Sequence, residues 1–364
     1  MLLFVIPAPE RAPVETEAPN QNETGQAPFT QVVAEGLEIP WDIAFLPNGS
    51  TLVTERTGHV IEIRNDGTKH EIRIEGVRQG GEGGLLGLVL HPDFAQNNLL
   101  YLYMSAPGTG GETSNRVVRY KFENGGLTQD KVIIANIPGA IYHDGGRMKF
   151  GPPTACASGQ EDCHLYITTG DATRSAIAQD LQSLGGKILR LNDNGSIPAD
   201  NPFNTAVWSF GHRNPQGLAW DNEGRLWQTE HGRSGVTSGL DEINLIEAGG
   251  NYGWPESEGD TVQSGTVGPA RHSGARDTWA PASLAYLDGS LFFGGLRGEA
   301  LYEAVLSGGR VVELKEHFKG EFGRVRTVRV GPDGMLYLTT SNTDGRGSVQ
   351  TGDDKIIRVN PELL

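Results

Sequence analysis

Proton-transfer chemistry in this sequence centres on a histidine. His143, in YHDGGRM, carries an imidazole whose ordinary pKa leaves it a neutral base near working pH, though a lone loop histidine serves equally well as a turn cap. Arg324 and Arg326, in GRVRTVR, stand two residues apart, so on a strand both side chains leave the same face; a salt-bridged strand edge has that pattern too. Further dense polar segments are RQGGEGGLLGL from Arg78, with Glu82, TTGDATR from Thr168, with Asp171, and GHRNPQG from Gly211, with Arg213 and Asn214. TEHGR from Thr229 holds Gly232 and Arg233, LDEINLIEAGGNYGWP from Leu240 holds Glu242 and Tyr252, and GLRGE from Gly295 holds Arg297. These positions lie far apart in the chain, so they make a site only if the fold brings their loops together.

The elements that would do so are short strands in repeats. Glycine, at 51 of 364 residues, is about twice its usual share, which suits many tight turns and argues against a helical bundle. A unit made of a Pro-Asp-Gly-type turn, a short apolar strand, a Thr- or Gly-rich break and a second alternating strand recurs six times. The copies are LPNGSTLVTERTGHVIEI from Leu46, HPDFAQNNLLYLYMS from His91, GPPT to LYITTGDA from Gly151 and WDNEGRLWQTEHG from Trp220. They continue with YLDGSLFFGGLRGEALYEAVL from Tyr286 and GPDGMLYLTTSN from Gly331, the last running on to DKIIRVN. A spacing of roughly 40 to 70 residues fits four strands per blade, so the expected fold is all-β, a six-bladed β-propeller over residues 29–364. AIAQDLQSL, from Ala176 to Leu184, is expected to form a short helix. In such a ring the loops at the rim of the central channel are where distant polar groups assemble.

A formal charge of −15 repels phosphate backbones and anionic membranes, and no stretch approaches the roughly 18 apolar residues of a membrane span, so neither nucleic acid nor a membrane span is expected. Residues 1–28 read as a signal remnant followed by a disordered tether rich in Pro, Glu and Gln, which points to export to the periplasm or the extracellular space. Cys156 and Cys163 are the only cysteines, and a disulfide closing a hairpin is the favoured reading over a metal site, since the pair has no companions to fill a tetrahedron.

Taken together, the order, spacing and content of these segments resemble the soluble PQQ-dependent glucose and aldose sugar dehydrogenases, from Glu35 to Asn360. GHRNPQG, DEINLI followed by GGNYGWP, HPDF after GGLLGL, and GKILRLN followed by DNGSIP carry the resemblance, and several long strings agreeing in register are far more specific than one short motif. The resemblance implies pyrroloquinoline quinone (PQQ) and Ca²⁺ as cofactors, small aldose sugars as substrates, an external electron acceptor and oxidation at C1 to a lactone. It makes His143 the general base and Asp171 the carboxylate that holds it, although Asp171 also suits a turn cap. Arg213 and Asn214 become catalytic and cofactor contacts near the quinone oxygens, Arg324 and Arg326 match the arginine pair for PQQ carboxylates, and Arg297 stands where the glucose enzymes carry a lysine. Gly232 and Arg233 would offer backbone carbonyls to Ca²⁺, while Glu242 and Tyr252 match a second, structural Ca²⁺ region; Tyr252 and Trp254 are otherwise explained as packing between blades.

Two departures from the pattern have chemical weight. Glu82 replaces a glutamine beside the cofactor, and a carboxylate there needs a proton or a cation such as Arg297. Tyr142 replaces an aspartate next to the base, and the stretch between Trp254 and Ala282 is short, features that fit a broad aldose dehydrogenase with an open site and a monomer. The rival readings are a Ca²⁺-dependent lactonase, which needs a ring of acidic and Asn ligands around a central ion, and a secreted propeller that binds without catalysis.

Overall fold

The computed structural model describes residues 29–157, 162–235 and 238–364. The signal remnant and tether expected over residues 1–28 therefore lie outside the described residues. Six antiparallel sheets of four strands each stand in a ring, one for each repeat. The first strands of the sheets, Pro40–Phe45, Leu85–Leu90, Met148–Gly151, Pro215–Trp220, Pro281–Leu287 and Val325–Val330, pack neighbour against neighbour around the axis.

The sequence produces this ring by burying each sheet on both faces. Pro215–Trp220 and Leu226–Glu230 are buried at every position, whereas the outermost strands Lys69–Arg73 and Arg310–His317 are largely exposed. Six separate apolar clusters fill the spaces between adjacent blades; five draw their residues from two neighbouring sheets, and the one between the second and third also takes in Trp41 of the first. The ring closes through the N-terminal strand Thr30–Ala34, which pairs with Ile356–Val359 and so completes the sixth sheet. Asp42 and Arg329 tie the first blade to the last.

The repeat signature maps to one end of the ring. Each copy is the hairpin joining a blade's first strand to its second, and in the first, fourth and sixth an Asn or Asp accepts from backbone N–H groups in the turn: Ser50 to Asn48, Arg225 to Asp221, Met335 to Asp333. In the third blade the hairpin connection is enlarged by the helix Pro153–Ala157 and stapled by the Cys156–Cys163 disulfide, whose Cα atoms lie 4.7 Å apart. At the opposite end, five of the six first strands enter their sheets through a register shift. Only Met148–Gly151, which follows the His143 segment, pairs without one.

Two expectations need adjustment. Over Ala176–Leu184 the chain forms only a 3₁₀ turn, Ser175–Ala178. The Lys187 ammonium explains why: it takes the carbonyls of Ile177, Ala178 and Gly185 at 2.7 to 3.0 Å, which pins the segment in irregular turns. The fourth blade's outer strand is just Arg271–His272, the structural result of the short stretch after Trp254. No described helix is long and apolar enough to cross a membrane.

Candidate active site

The loops opposite the hairpin turns bring the polar segments together. They either lead into a blade's first strand, as with Glu82, His143, Arg213 and Arg324, or leave its second strand, as with Asp171, His231, Arg297 and Asp344. His143 Nδ1 lies 2.7 Å from Asp171 Oδ1. Thr173 N–H also donates to Oδ1, and Trp254 Nε1 donates to Oδ2, both at 2.8 Å, so the carboxylate is held from three sides. An acceptor-only partner assigns the proton to Nδ1 and leaves the lone pair on Nε2. Trp254, expected only to pack, thus orients the acid, and Arg213 lies over its ring at 5.3 Å.

Arg213 and Asn214 retain unused donors. The Arg213 backbone N–H donates to Glu230 and its Nη2 reaches Ser234 at 3.0 Å, but Nε is buried with no partner. Asn214 Oδ1 accepts from Gly145 and Gln216, while its Nδ2 is likewise buried and unpaired. Buried donors of this kind are costly unless a ligand completes them.

Arg324 and Arg326 do leave one face of the chain, and they share Asp344. Arg324 Nη2 lies 2.9 Å and Arg326 Nη2 3.7 Å from the same Oδ2. Burial and then nearby Arg56 push the Arg326 guanidinium down to about 9. Burial alone would raise the Asp344 carboxyl, yet the two arginines hold it below the usual carboxylate range.

A cavity of about 340 Å³ opens beside these groups, lined by Arg233, Arg297, Arg324 and Arg346 against Glu82 and Asp241. Four guanidinium groups facing two carboxylates make a cationic pocket in a chain whose net charge is −15. Gly232 and His231 also line it. His231 Nε2 is buried without a partner, and burial lowers this imidazole to about 3, so it is neutral at physiological pH. The Gly232 backbone N–H is fixed by Asp241 at 2.8 Å, and among the described residues the Arg233 carbonyl accepts one long backbone bond, of 3.4 Å, from Gly239.

Some expected members are placed otherwise. Glu82 pairs with Arg346 Nη1 at 3.1 Å, not with Arg297, which is exposed and bonds Ser238. The reason is reach: Arg346 comes from the sixth blade, adjacent in the ring to the loop that carries Glu82. Glu242 stands opposite Glu230 in the sheet and accepts from Gly259 and Asn244, and burial, then the like charge of Glu230, push its carboxyl well above the usual carboxylate range. The Tyr252 hydroxyl is spent on Leu245 and Glu247, and its ring stacks on His212. Among the described residues no three His, Cys, Asp or Glu side chains converge to hold a metal.

Two other features imitate sites. Ser209, His212 and Glu230 form a hydrogen-bonded Ser-His-Glu series at 2.9 Å per step, but all three are sealed inside the sheet. Two larger clefts, of about 550 and 650 Å³, open at the hairpin end, away from the convergent polar loops. Sequence reasoning missed His231, Arg56, Asp144 and the Asp344–Arg346 pair. The available signal was positional, because Arg56, Asp171, His231, Arg297 and Asp344 all follow a blade's second strand by one to four residues.

A family model described as Glucose / Sorbosone dehydrogenase matches residues 37–349. The aldose sugar dehydrogenase YliI of Escherichia coli is 33% identical over 356 residues, 86% of this chain and 90% of that protein. The quinoprotein glucose dehydrogenase B of Acinetobacter calcoaceticus is 33% identical over 270 residues, 65% of this chain and 54% of that protein. The PQQ-bound form of an aldose sugar dehydrogenase from Streptomyces coelicolor superposes with a TM-score of 0.81 at 39% identity, covering 90% of this chain and 97% of that one.

Proposed function

Because the chain belongs to the glucose/sorbosone dehydrogenase family, we propose that it oxidises aldose sugars at C1 to lactones with PQQ and Ca²⁺. The observation that carries this reading is the His143–Asp171 pair, held through Glu82 to the edge of a cationic cavity, together with the buried donors Arg213 Nε and Asn214 Nδ2, which lack partners among the described residues. Such donors fit a planar ligand bearing carboxylates and carbonyl oxygens. Arg324 and Arg326 would hold its carboxylates, with Arg297 at the open side. Arg213 Nε and Asn214 Nδ2 would donate to its carbonyl oxygens. The backbone carbonyls of Gly232 and Arg233 would supply hard oxygen ligands to Ca²⁺. Glu242 and Tyr252 receive no metal in this assignment, since their side chains are already engaged.

Bound there, PQQ with Ca²⁺ would supply the acceptor for the hydride leaving C1. His143 takes the C1 hydroxyl proton on Nε2, and Asp171 offsets the charge that the imidazole then carries. Trp254 and Thr173 keep Asp171 in place while this happens. The disulfide supports an oxidising compartment outside the cytosol, in keeping with an exported enzyme that passes electrons to an external acceptor.

The test is reconstitution of the apo-protein with PQQ and Ca²⁺, followed by dye reduction with a panel of aldoses. Sugar-dependent reduction is expected, and none with any aldose would sink the reading. His143→Ala is expected to lose about 10²-fold or more in kcat while binding PQQ as before, measured by turnover and by PQQ titration.

A further inference from the structure

Glu82 lies at the cavity, yet its hydrogen bonds run to the loop that carries the base. Its backbone N–H donates to the Ile141 carbonyl at 2.8 Å, and its Oε2 accepts from the His143 N–H at 3.0 Å. One residue therefore holds both ends of the three-residue stretch 141–143. The other carboxylate oxygen takes Arg346 Nη1 at 3.1 Å. Arg346 lies over the Tyr142 ring at 5.5 Å, and its own N–H is fixed by Asp344.

That stretch needs holding. His143 has φ of +65°, a left-handed conformation that a β-carbon disfavours and that persists only where its surroundings enforce it. Two glycines make close approach possible. A Cβ on Gly81 would fall 2.1 Å from the Ile141 carbonyl oxygen, and one on Gly170 would fall 1.9 Å from that of His143. The loop is thus gripped between the segment of Glu82 and that of Asp171, which also bonds it through Ala172 N–H to His143 O at 3.1 Å.

We propose that Glu82, closed by Arg346, is a positioning residue that fixes the left-handed backbone of His143, and that it acts on the base rather than as a contact to the bound cofactor. This rests on His143 being the base. It also accounts for a carboxylate beside a site for an anionic ligand, since Arg346 neutralises it and the His143 N–H occupies it.

The experiment compares wild type with Glu82→Ala, Glu82→Gln and Arg346→Ala. Hydrogen exchange of peptides covering residues 140–146 is measured in the apo-protein, and kcat, KM and PQQ affinity in the loaded one. Glu82→Ala is expected to lose protection in that segment, with other blades unchanged, and to lose about 10²-fold in kcat with little change in PQQ affinity. Glu82→Gln, whose amide carbonyl still accepts from His143 N–H, is expected to restore most of both. Arg346→Ala is expected to fall between them. Unchanged exchange in Glu82→Ala, or a loss confined to PQQ affinity, overturns the proposal. If wild type oxidises no sugar, the exchange measurement still decides the clasp, so its failure and that of the enzymatic reading are separable.

Discussion

The middle of the central channel and its mouth are both built from arginines, and they put them to different uses. In the channel, Asp42 takes Arg147 at 2.7 Å and Arg329 through two contacts of 2.9 Å, and Arg147 lies over Trp41 at 4.0 Å. These charges join strands of three blades. At the mouth, Arg213 and Arg56 keep buried Nε atoms without partners, and Arg324 and Arg326 divide one carboxylate between them. In both places two arginines share one carboxylate, and Arg147 Nη1 and Nη2 also make no hydrogen bond among the described residues; the channel charges join blades and serve assembly of the ring, while those at the mouth border a cavity that a ligand can enter.

Breaking the channel cluster has the largest expected effect. Asp42→Asn strands Arg147 and Arg329 in a dry setting, and loss of one partner from a buried ion pair costs about 3–5 kcal/mol. Chemical unfolding should show that loss, and PQQ affinity of the remaining folded protein should change little. A fall below about 1 kcal/mol would mean that water reaches the channel and screens the cluster.

Breaking the mouth should reverse the pattern. Arg326→Met removes a buried cation that shares its acid, so stability should hold or rise by up to about 1 kcal/mol. PQQ affinity should drop about 10- to 100-fold, because a charge-assisted donor to a carboxylate is gone. Titration of the apo-protein measures the second, and unfolding the first. Equal losses in both would erase the distinction between the two regions.

The sequence was most legible where structure depends on local chemistry. Asx turns at fixed offsets and alternating strands reveal six blades because each hairpin is settled within about twenty residues. The Cys156–Cys163 staple was legible for the same reason. His143 and Asp171 were visible only as segments resembling a family, since they come from opposite ends of a hairpin and meet through a left-handed loop. Arg346 was invisible: its partner Glu82 lies 264 residues away, and only ring closure makes them neighbours. Arg297 was the nearer guess for that partner by charge alone, and blade order decided against it. The helix expected at Ala176 failed because Lys187, outside the segment, takes its carbonyls.

Asp144 sharpens the comparison through pH. It is 1% exposed, directly follows the base, and its Oδ1 accepts from Asn115 and Ala140, but Oδ2 is buried with no partner. Burial raises this carboxyl from 3.8 to about 6 against the opposing pull of those two donors. The folded state therefore binds its proton more tightly than the unfolded chain does. The resulting stabilisation is fully present below about pH 4 and is lost as pH rises through about 6. Asp144→Asn keeps the Oδ1 acceptor and cannot ionise, so it should match wild type near pH 4 and be more stable by about 3 kcal/mol near pH 8, the worth of about two pKa units. Unfolding midpoints at the two pH values measure this. A constant offset between the two proteins would show that Oδ2 finds solvent, and that the mouth beside the base is wetter than the channel below it.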